Sequence, residues 1–125
     1  MPKVLLIDDE QFHRAALKDK FESNGFDVVL AENGKLGVET AVAEKPDLIV
    51  LDILMPVQNG KVTLRDLKDL PETKDIPVII LTAVPESALQ EESDRAVFSL
   101  ALEVIQKDQI EMDGVVEKVK TYLKL

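Results

Sequence analysis

Two short apolar runs of this 125-residue chain end in aspartate. Val4–Ile7 is followed by Asp8 and Asp9, and Leu48–Leu51 is followed by Asp52. Runs of this length, rich in Val, Ile and Leu, predict strands that are covered on both faces of a parallel sheet. The carboxyl ends of neighbouring parallel strands meet at one edge of the sheet, so the three carboxylates are predicted to share one crevice.

The repulsion among these carboxylates indicates what the crevice would bind. Two carboxylates about 4 Å apart, at an effective dielectric constant near 20, repel by roughly 4 kcal/mol. A cation is therefore predicted beside them. Oxygen ligands select a hard ion, and a site with few protein ligands suits Mg²⁺ better than Ca²⁺. Taken singly, each aspartate reads more simply as the solvated end of a strand or the cap of a helix, but the three together favour a metal site.

Five apolar runs alternate with stretches of helical periodicity, and this alternation predicts the fold. Parallel strands joined by right-handed helical crossovers give an alternating α/β chain, for which a doubly wound open sheet is the simplest arrangement. The predicted strands are Lys3–Asp8, Asp27–Ala31, Asp47–Asp52, Val78–Thr82 and Ala101–Gln106.

Helix boundaries are marked by turn and cap residues between these runs. A first helix with the apolar stripe Phe12, Ala16, Leu17 and Phe21 is predicted to stop at Asn24-Gly25. The second is predicted to follow Asn33-Gly34, the third to begin near Gly60, and the last to contain Val115–Leu123. The polar stretch Glu86–Arg95, followed by apolar Ala96, Val97 and Leu100, predicts a fourth helix that is broken.

Composition and charge exclude several classes of protein. A net charge of −9 without a basic patch argues against nucleic acid and anionic membrane surfaces as partners. No apolar run approaches the roughly 20 residues of a membrane span, and no signal peptide is recognisable. The chain contains no cysteine, in keeping with a reducing compartment. We therefore expect one cytoplasmic domain over residues 1–125, without an attached output domain.

Four short sequence motifs occur along the chain. Together and in this order they identify a family more specifically than any one of them alone. They are VLLIDDE at Val4–Glu10, PDLIVLDILMP at Pro46–Pro56, Asn59-Gly60, and PVIILTA at Pro77–Ala83. The set resembles the response-regulator receiver domains of two-component signalling, over nearly the whole chain. The resemblance implies a flavodoxin-like, doubly wound sheet of five parallel strands in the order 2-1-3-4-5, with five helices.

The resemblance also implies a role for each acidic residue. Asp52 would be the residue that is phosphorylated. Asp9 and Asp52 would contact Mg²⁺ through their side chains, and Asp8 would assist through water. The backbone carbonyl of Leu54 would complete the protein's share of the metal ligands.

Two further residues belong to the implied site. Thr82, at the end of the fourth strand, would donate its hydroxyl to the phosphoryl group, and the ammonium of Lys107 would pair with a phosphoryl oxygen. A carboxylate that attacks phosphorus needs the phosphoryl charge neutralised, which a metal ion and a lysine can do together. Alone, Thr82 would pass as an ordinary strand residue and Lys107 as a surface lysine.

Near Lys107 the chain departs from the family pattern. The position three residues earlier, usually aromatic, is Val104, so no aromatic ring can change rotamer there. The residue after the lysine, usually proline, is Asp108, which would add negative charge near the site. His13, on the first helix, is interpreted as a residue of a partly exposed helix face and not as part of the site.

Three functions follow from these observations. The first is a single-domain response regulator that takes its phosphoryl group from a histidine kinase or a histidine phosphotransfer protein. Such a switch would be a monomer or weak dimer, not an enzyme, and would bind an unidentified downstream protein through its fourth helix, fifth strand and fifth helix. The second is a receiver-like interaction module that is not phosphorylated. The third is a small phosphatase, which is disfavoured because position 54 is Leu and not a second acid.

Overall fold

The apolar runs form five strands of one parallel sheet. The structure, a computed structural model, describes residues 1–53, 57–85 and 92–125, without the side chains of residues 53, 57–59, 93 and 94. The strands are Lys3–Ile7 (β1), Asp27–Ala31 (β2), Leu48–Ile53 (β3), Val78–Thr82 (β4) and Glu103–Gln106 (β5). Their order across the sheet is β2-β1-β3-β4-β5, which confirms the predicted doubly wound fold.

Helices follow the strands in alternation, as predicted. They are Gln11–Ser23 (α1), Gly34–Glu44 (α2), Val57–Asp69 (α3), Glu92–Phe98 (α4) and Met112–Leu123 (α5), and a 3-10 turn at Lys107–Gln109 follows β5. None of the helices in the described part of the chain is both long enough and apolar enough to span a membrane.

Successive side chains of a strand point to opposite faces of the sheet, and this alternation builds two cores. Val4 and Leu6 of β1 pack in one core, which also contains residues of α1 and α5. Leu5 and Ile7 pack in the other, which contains residues of α2, α3 and α4. All four of these β1 residues are at most 2% exposed. Asp8, directly after β1, and Asp52, near the end of β3, are therefore carried on strands that are packed on both faces.

Cap residues set the helix ends near the positions that the sequence indicates. The side chain of Asn33 accepts a hydrogen bond from Leu36 N at 2.9 Å and caps α2. Asn24 follows the last turn of α1, and Gly25 has a φ of 87°, a left-handed conformation that glycine adopts without strain.

Some sequence predictions need correction. Phe12 was expected in the buried stripe of α1 but is 82% exposed; the buried residues of this helix are Leu17 and Phe21, in its later turns. The helix after β3 begins at Val57 instead of near Gly60, and β5 begins at Glu103 instead of Ala101. The predicted break in α4 falls partly outside the described residues, since residues 86–91 are not among them.

A close approach of α2 to β1 holds the end of β1 in place. A Cβ added at Gly37 would lie 2.4 Å from Ile7 Cδ1 and 2.8 Å from Ile7 Cγ1. Ile7 is 2% exposed and directly precedes Asp8. The absence of a side chain at Gly37 therefore allows α2 to pack against the strand that carries Asp8.

We expect Gly37→Ala to lower the free energy of unfolding by about 1 to 2 kcal/mol. Overpacking costs about 1 to 3 kcal/mol, and the better helix propensity of Ala recovers up to about 1 kcal/mol. Urea unfolding followed by circular dichroism measures the change. Glu39→Ala, at an exposed position of the same helix, is the control and should stay within about 0.5 kcal/mol of the unsubstituted protein. A Gly37→Ala variant as stable as this control would contradict the packing argument.

Candidate functional site

The register of β1 and β3 places two acidic side chains at the same edge of the sheet. Ile7 pairs with Leu51, so Asp8 and Asp52 each follow one member of this pair. Asp8 is 1% exposed and Asp52 is 7% exposed. The predicted meeting of carboxylates from two strands is therefore found for these two residues.

Asp8 is held by backbone and side-chain contacts from α1. Its Oδ1 accepts a hydrogen bond from Glu10 N at 2.9 Å, and its backbone carbonyl accepts one from Arg14 Nη1 at 2.6 Å. Its own N–H donates to the backbone oxygen of Ala31, the last residue of β2, at 3.0 Å. The carboxylate of Asp8 thus has a fixed orientation next to Asp52.

Lys107 reaches the site from the end of β5. Thr82 of β4 pairs with Gln106, the last residue of β5, which places Lys107 directly beyond the strand end. The Nζ of Lys107 lies 2.6 Å from Asp52 Oδ2. The structure therefore places this lysine beside Asp52, and its pairing with a phosphoryl oxygen stays a prediction.

The carboxylate of Asp52 is buried without directed hydrogen bonds. Lys107 Nζ and His13 Nδ1 lie 2.6 Å and 2.8 Å from its Oδ2, but neither Asp52 oxygen has a partner with hydrogen-bond geometry within the described residues. The pKa of Asp52 is raised to about 7, mainly because the carboxyl is buried; the ammonium of Lys107 opposes this rise, and the charge of Asp8 adds to it. Asp52 is therefore an acidic group whose charge the protein alone compensates only in part.

Thr82 is buried at the end of β4, next to the strand that carries Asp52. It is 2% exposed, and Leu81 before it pairs with Asp52. The Oγ1 of Thr82 accepts a hydrogen bond from Val84 N at 2.9 Å. A hydroxyl that accepts can still donate its own hydrogen, so Thr82 retains one donor and is tied to the chain that follows β4.

Two predicted metal ligands are not part of the observed cluster. Asp9 is exposed and does not belong to the group of close ligand atoms formed by Asp8, His13 and Asp52. Its role as a ligand stays a prediction. Leu54, whose carbonyl was predicted to bind the metal, lies outside the described residues.

His13 is the residue that the sequence interpretation missed. It was assigned to a partly exposed helix face, but its Nδ1 donates to Asp8 Oδ2 at 2.5 Å and lies 2.8 Å from Asp52 Oδ2. It stands in the first turn of α1, where side chains lean toward the helix N-terminus and so toward the end of β1. The sequence offered one indication of this location: His13 lies three residues after Glu10, the residue that caps the start of α1.

The residues brought together could hold a divalent cation. One ligand atom from each of Asp8, His13 and Asp52 lies within 4.8 Å of the other two. Two of these side chains are buried carboxylates, and both oxygens of Asp52 lack a directed hydrogen bond in the described structure. A hard cation would satisfy these oxygens, so the two carboxylates fit Mg²⁺.

Comparison with known proteins gives relatives of the same kind. Protein PilH of Pseudomonas aeruginosa is 43% identical over 82 residues, which are 66% of this chain and 68% of that protein. The polar-differentiation response regulator DivK of Brucella anthropi is 30% identical over 124 residues, 98% of each chain. In several longer relatives the matched part spans only 18% to 34% of their length.

A solved structure extends the likeness to three dimensions. The response regulator TrrA of Thermotoga maritima, crystallised in complex with Mg²⁺ and BeF, superposes with a TM-score of 0.79 at 30% identity, covering 97% of this chain and 98% of that one. The family description "Response regulator receiver domain" matches residues 4–120. With the strand order and the acidic pair at the strand ends, these matches show that the chain belongs to the response-regulator receiver domains, a family of signalling modules.

Proposed function

We propose that the chain is a phosphorylation switch in which Asp52 accepts one phosphoryl group with the help of Mg²⁺. The observation that carries this proposal is the buried carboxylate of Asp52, which has Lys107 Nζ at 2.6 Å and no directed hydrogen bond from the described residues. A buried acid of this kind costs stability unless a ligand completes its environment. A phosphoryl group together with a cation would do so.

The chemistry assigned to Asp52 is a nucleophilic displacement at phosphorus. The proposed donor is a phosphohistidine of another protein. One carboxylate oxygen of Asp52 forms the new O–P bond, while the P–N bond of the phosphohistidine breaks and its electron pair stays on the donor's imidazole. Mg²⁺ held by the acidic residues would neutralise charge on the carboxylates and on the phosphoryl oxygens. Lys107 would pair with one of those oxygens, because its ammonium already lies at the carboxylate.

The switch is proposed to act through Thr82. Once Asp52 carries a phosphoryl group, the hydroxyl of Thr82 would donate to it. Since Thr82 Oγ1 also accepts from Val84 N, a shift of this side chain would move Val84, two residues beyond β4. A change there reaches α4, β5 and α5, the proposed binding face, by altering the balance between two arrangements.

Partners are proposed on the basis of the family. The phosphoryl donor would be a phosphohistidine on a histidine kinase or a histidine phosphotransfer protein, and the recipient of the signal an unidentified downstream protein. The chain would then act by binding this downstream protein and would not turn over a substrate. A cytoplasmic location and a monomer or weak dimer remain predictions.

One observation favours a second candidate, a receiver-like module that is not phosphorylated. His13 and Lys107 both lie within 2.8 Å of Asp52 Oδ2, an arrangement that compensates part of its charge without a ligand. The phosphorylation experiment described next separates the two functions.

We expect a small acyl phosphate donor with Mg²⁺ to increase the intact mass of the protein by one phosphoryl group. The carboxylate of Asp52 is the nucleophile, so Asp52→Asn should show no increase. Asp113→Asn, which removes a side chain that is 73% exposed, should react like the unsubstituted protein. Phosphorylation of Asp52→Asn to the same extent would contradict the proposal, and the absence of any mass change in the unsubstituted protein would favour the unphosphorylated module.

Mg²⁺ is expected to raise the free energy of unfolding because it binds only the folded protein. At a concentration 100 times the dissociation constant the gain is about 2.7 kcal/mol. The gain should be largely lost in Asp9→Ala and in Asp8→Asn, and retained in Asp113→Asn. Thermal unfolding with and without Mg²⁺ provides the comparison. Equal shifts in all four proteins would count against the assigned ligands.

Removal of the ammonium beside Asp52 should slow the phosphoryl transfer. We expect Lys107→Gln to reduce the rate by about ten-fold or more, as the loss of a charge-stabilising donor does in other sites. The time course of the mass increase gives the rate. Lys118→Gln, which alters a partly exposed lysine of α5 that pairs with Glu103, is the control. Equal rates for the two variants would exclude a direct role of Lys107 in the transfer.

A further inference from the structure

His13 contributes a nitrogen atom to a site that the family pattern describes as acidic. Its Nδ1 lies 2.5 Å from Asp8 Oδ2 and 2.8 Å from Asp52 Oδ2, and its side chain is 22% exposed. It is the only histidine of the chain, which has no cysteine. The imidazole nitrogen prefers softer metal ions than Mg²⁺, and the chain has no second imidazole and no thiol.

The position of His13 is fixed by the start of α1. The carboxylate of Glu10 accepts hydrogen bonds from His13 N at 2.6 Å and from Phe12 N at 3.2 Å, which caps the helix. Asp8 Oδ1 accepts from Glu10 N at 2.9 Å and so joins the cap to the end of β1. These hydrogen bonds fix the backbone of His13, and the short side chain then directs the imidazole toward the carboxylates.

The three side chains are suited in chemistry to a first-row transition metal. Ligand atoms from Asp8, His13 and Asp52 lie within 4.8 Å of one another, and the oxygens of Asp52 have no directed hydrogen bond from the part of the chain that the structure describes. Imidazole nitrogen favours ions such as Zn²⁺ or Co²⁺, whereas Mg²⁺ prefers oxygen. The same carboxylates with an added nitrogen should therefore bind Zn²⁺ more tightly than Mg²⁺.

Binding of an ion requires a change of tautomer and a small rearrangement. His13 Nδ1 donates to Asp8, so its hydrogen must leave, with Nε2 carrying the hydrogen of the neutral ring, before Nδ1 can offer its lone pair to a metal. Neighbouring ligands around one ion at about 2.1 Å are about 3 Å apart, or somewhat more in a tetrahedral site. The observed separations of 2.5 Å and 2.8 Å would open by about half an ångström, an adjustment within the reach of side-chain rotation.

We propose that Asp8, His13 and Asp52 form a site for a first-row transition metal ion, in which His13 Nδ1 is a direct ligand. The inference rests on the proposed function, because it concerns the carboxylates of the phosphoryl-accepting site. Mg²⁺ would still bind there, but the transition metal ion would bind more tightly. His13 then determines which metal supports phosphorylation of Asp52.

Nuclear magnetic resonance of the imidazole nitrogens tests the inference on the whole, unsubstituted chain. With a single histidine, the ¹⁵N-labelled protein gives one pair of imidazole signals. Addition of Zn²⁺ should move the Nδ1 signal to the range of a metal-bound nitrogen, and addition of Mg²⁺ should not. Zn²⁺ that leaves Nδ1 unchanged, or that moves Nε2 alone, would overturn the proposal.

Calorimetric titration of variants supplies an independent measurement. His13→Gln should weaken Zn²⁺ binding by about ten-fold or more, while Mg²⁺ binding changes far less. Asp113→Asn is the control and should bind both ions like the unsubstituted protein. Unchanged Zn²⁺ affinity in a folded His13→Gln variant would overturn the proposal.

Failure of the transition-metal site can be distinguished from failure of the phosphorylation switch. If His13→Gln gains one phosphoryl group with Mg²⁺ and Zn²⁺ fails to engage Nδ1, the phosphorylation switch stands and the transition-metal site does not. If the unsubstituted protein is never phosphorylated but Zn²⁺ engages Nδ1, the metal site stands alone.

Discussion

Two carboxylates held at the ends of adjacent parallel strands are the constraint on which the site depends. The pairing of Ile7 with Leu51 brings Asp8 and Asp52 to one edge of the sheet, where both are buried. Like charges in such a position raise each other's free energy, and burial adds to the cost. The raised pKa of Asp52, about 7, reflects both effects. Lys107 and His13 offset part of this cost, and a phosphoryl group with a metal ion would offset more.

The rest of the fold keeps these groups in register. The strands are buried between two cores, so the strand ends cannot separate without loss of packing. Gly37 lets α2 lie against Ile7, and the cap formed by Glu10 fixes the start of α1 next to Asp8. Lys107 enters from β5 across the sheet edge, which makes its distance to Asp52 depend on the pairing of β4 with β5. This dependence is what could couple the site to the face formed by α4, β5 and α5.

Much of this arrangement could be predicted from the sequence, because buried parallel strands have a strong and regular pattern. The five apolar runs locate the strands to within two residues at either end, and the aspartates directly after β1 and near the end of β3 indicate the site. His13 could not be assigned in this way, since its contact depends on how α1 is capped and tilted against β1. Phe12 was predicted to be buried because helical periodicity does not show which turns of a helix are covered by other elements. The side-chain contacts of Asp9 also depend on such local geometry.

The two departures from the family pattern near Lys107 leave the contact between Lys107 and Asp52 in place. Val104 is half-buried against the core that includes residues of α4, and Asp108 is exposed in the turn after β5. Neither prevents Lys107 from lying 2.6 Å from Asp52. Without an aromatic ring at position 104, a signal from the site would have to travel by backbone shifts after β4 and β5.

The central claim is that the acyl phosphate forms on Asp52, and borohydride trapping tests it most directly. Hydride reduces an aspartyl phosphate to homoserine with release of phosphate, which marks the modified position permanently. After treatment with a phosphodonor and Mg²⁺, peptide mass spectrometry should find homoserine at position 52 and at no other aspartate. Homoserine at another position, or none in a protein shown to be folded, would contradict the account.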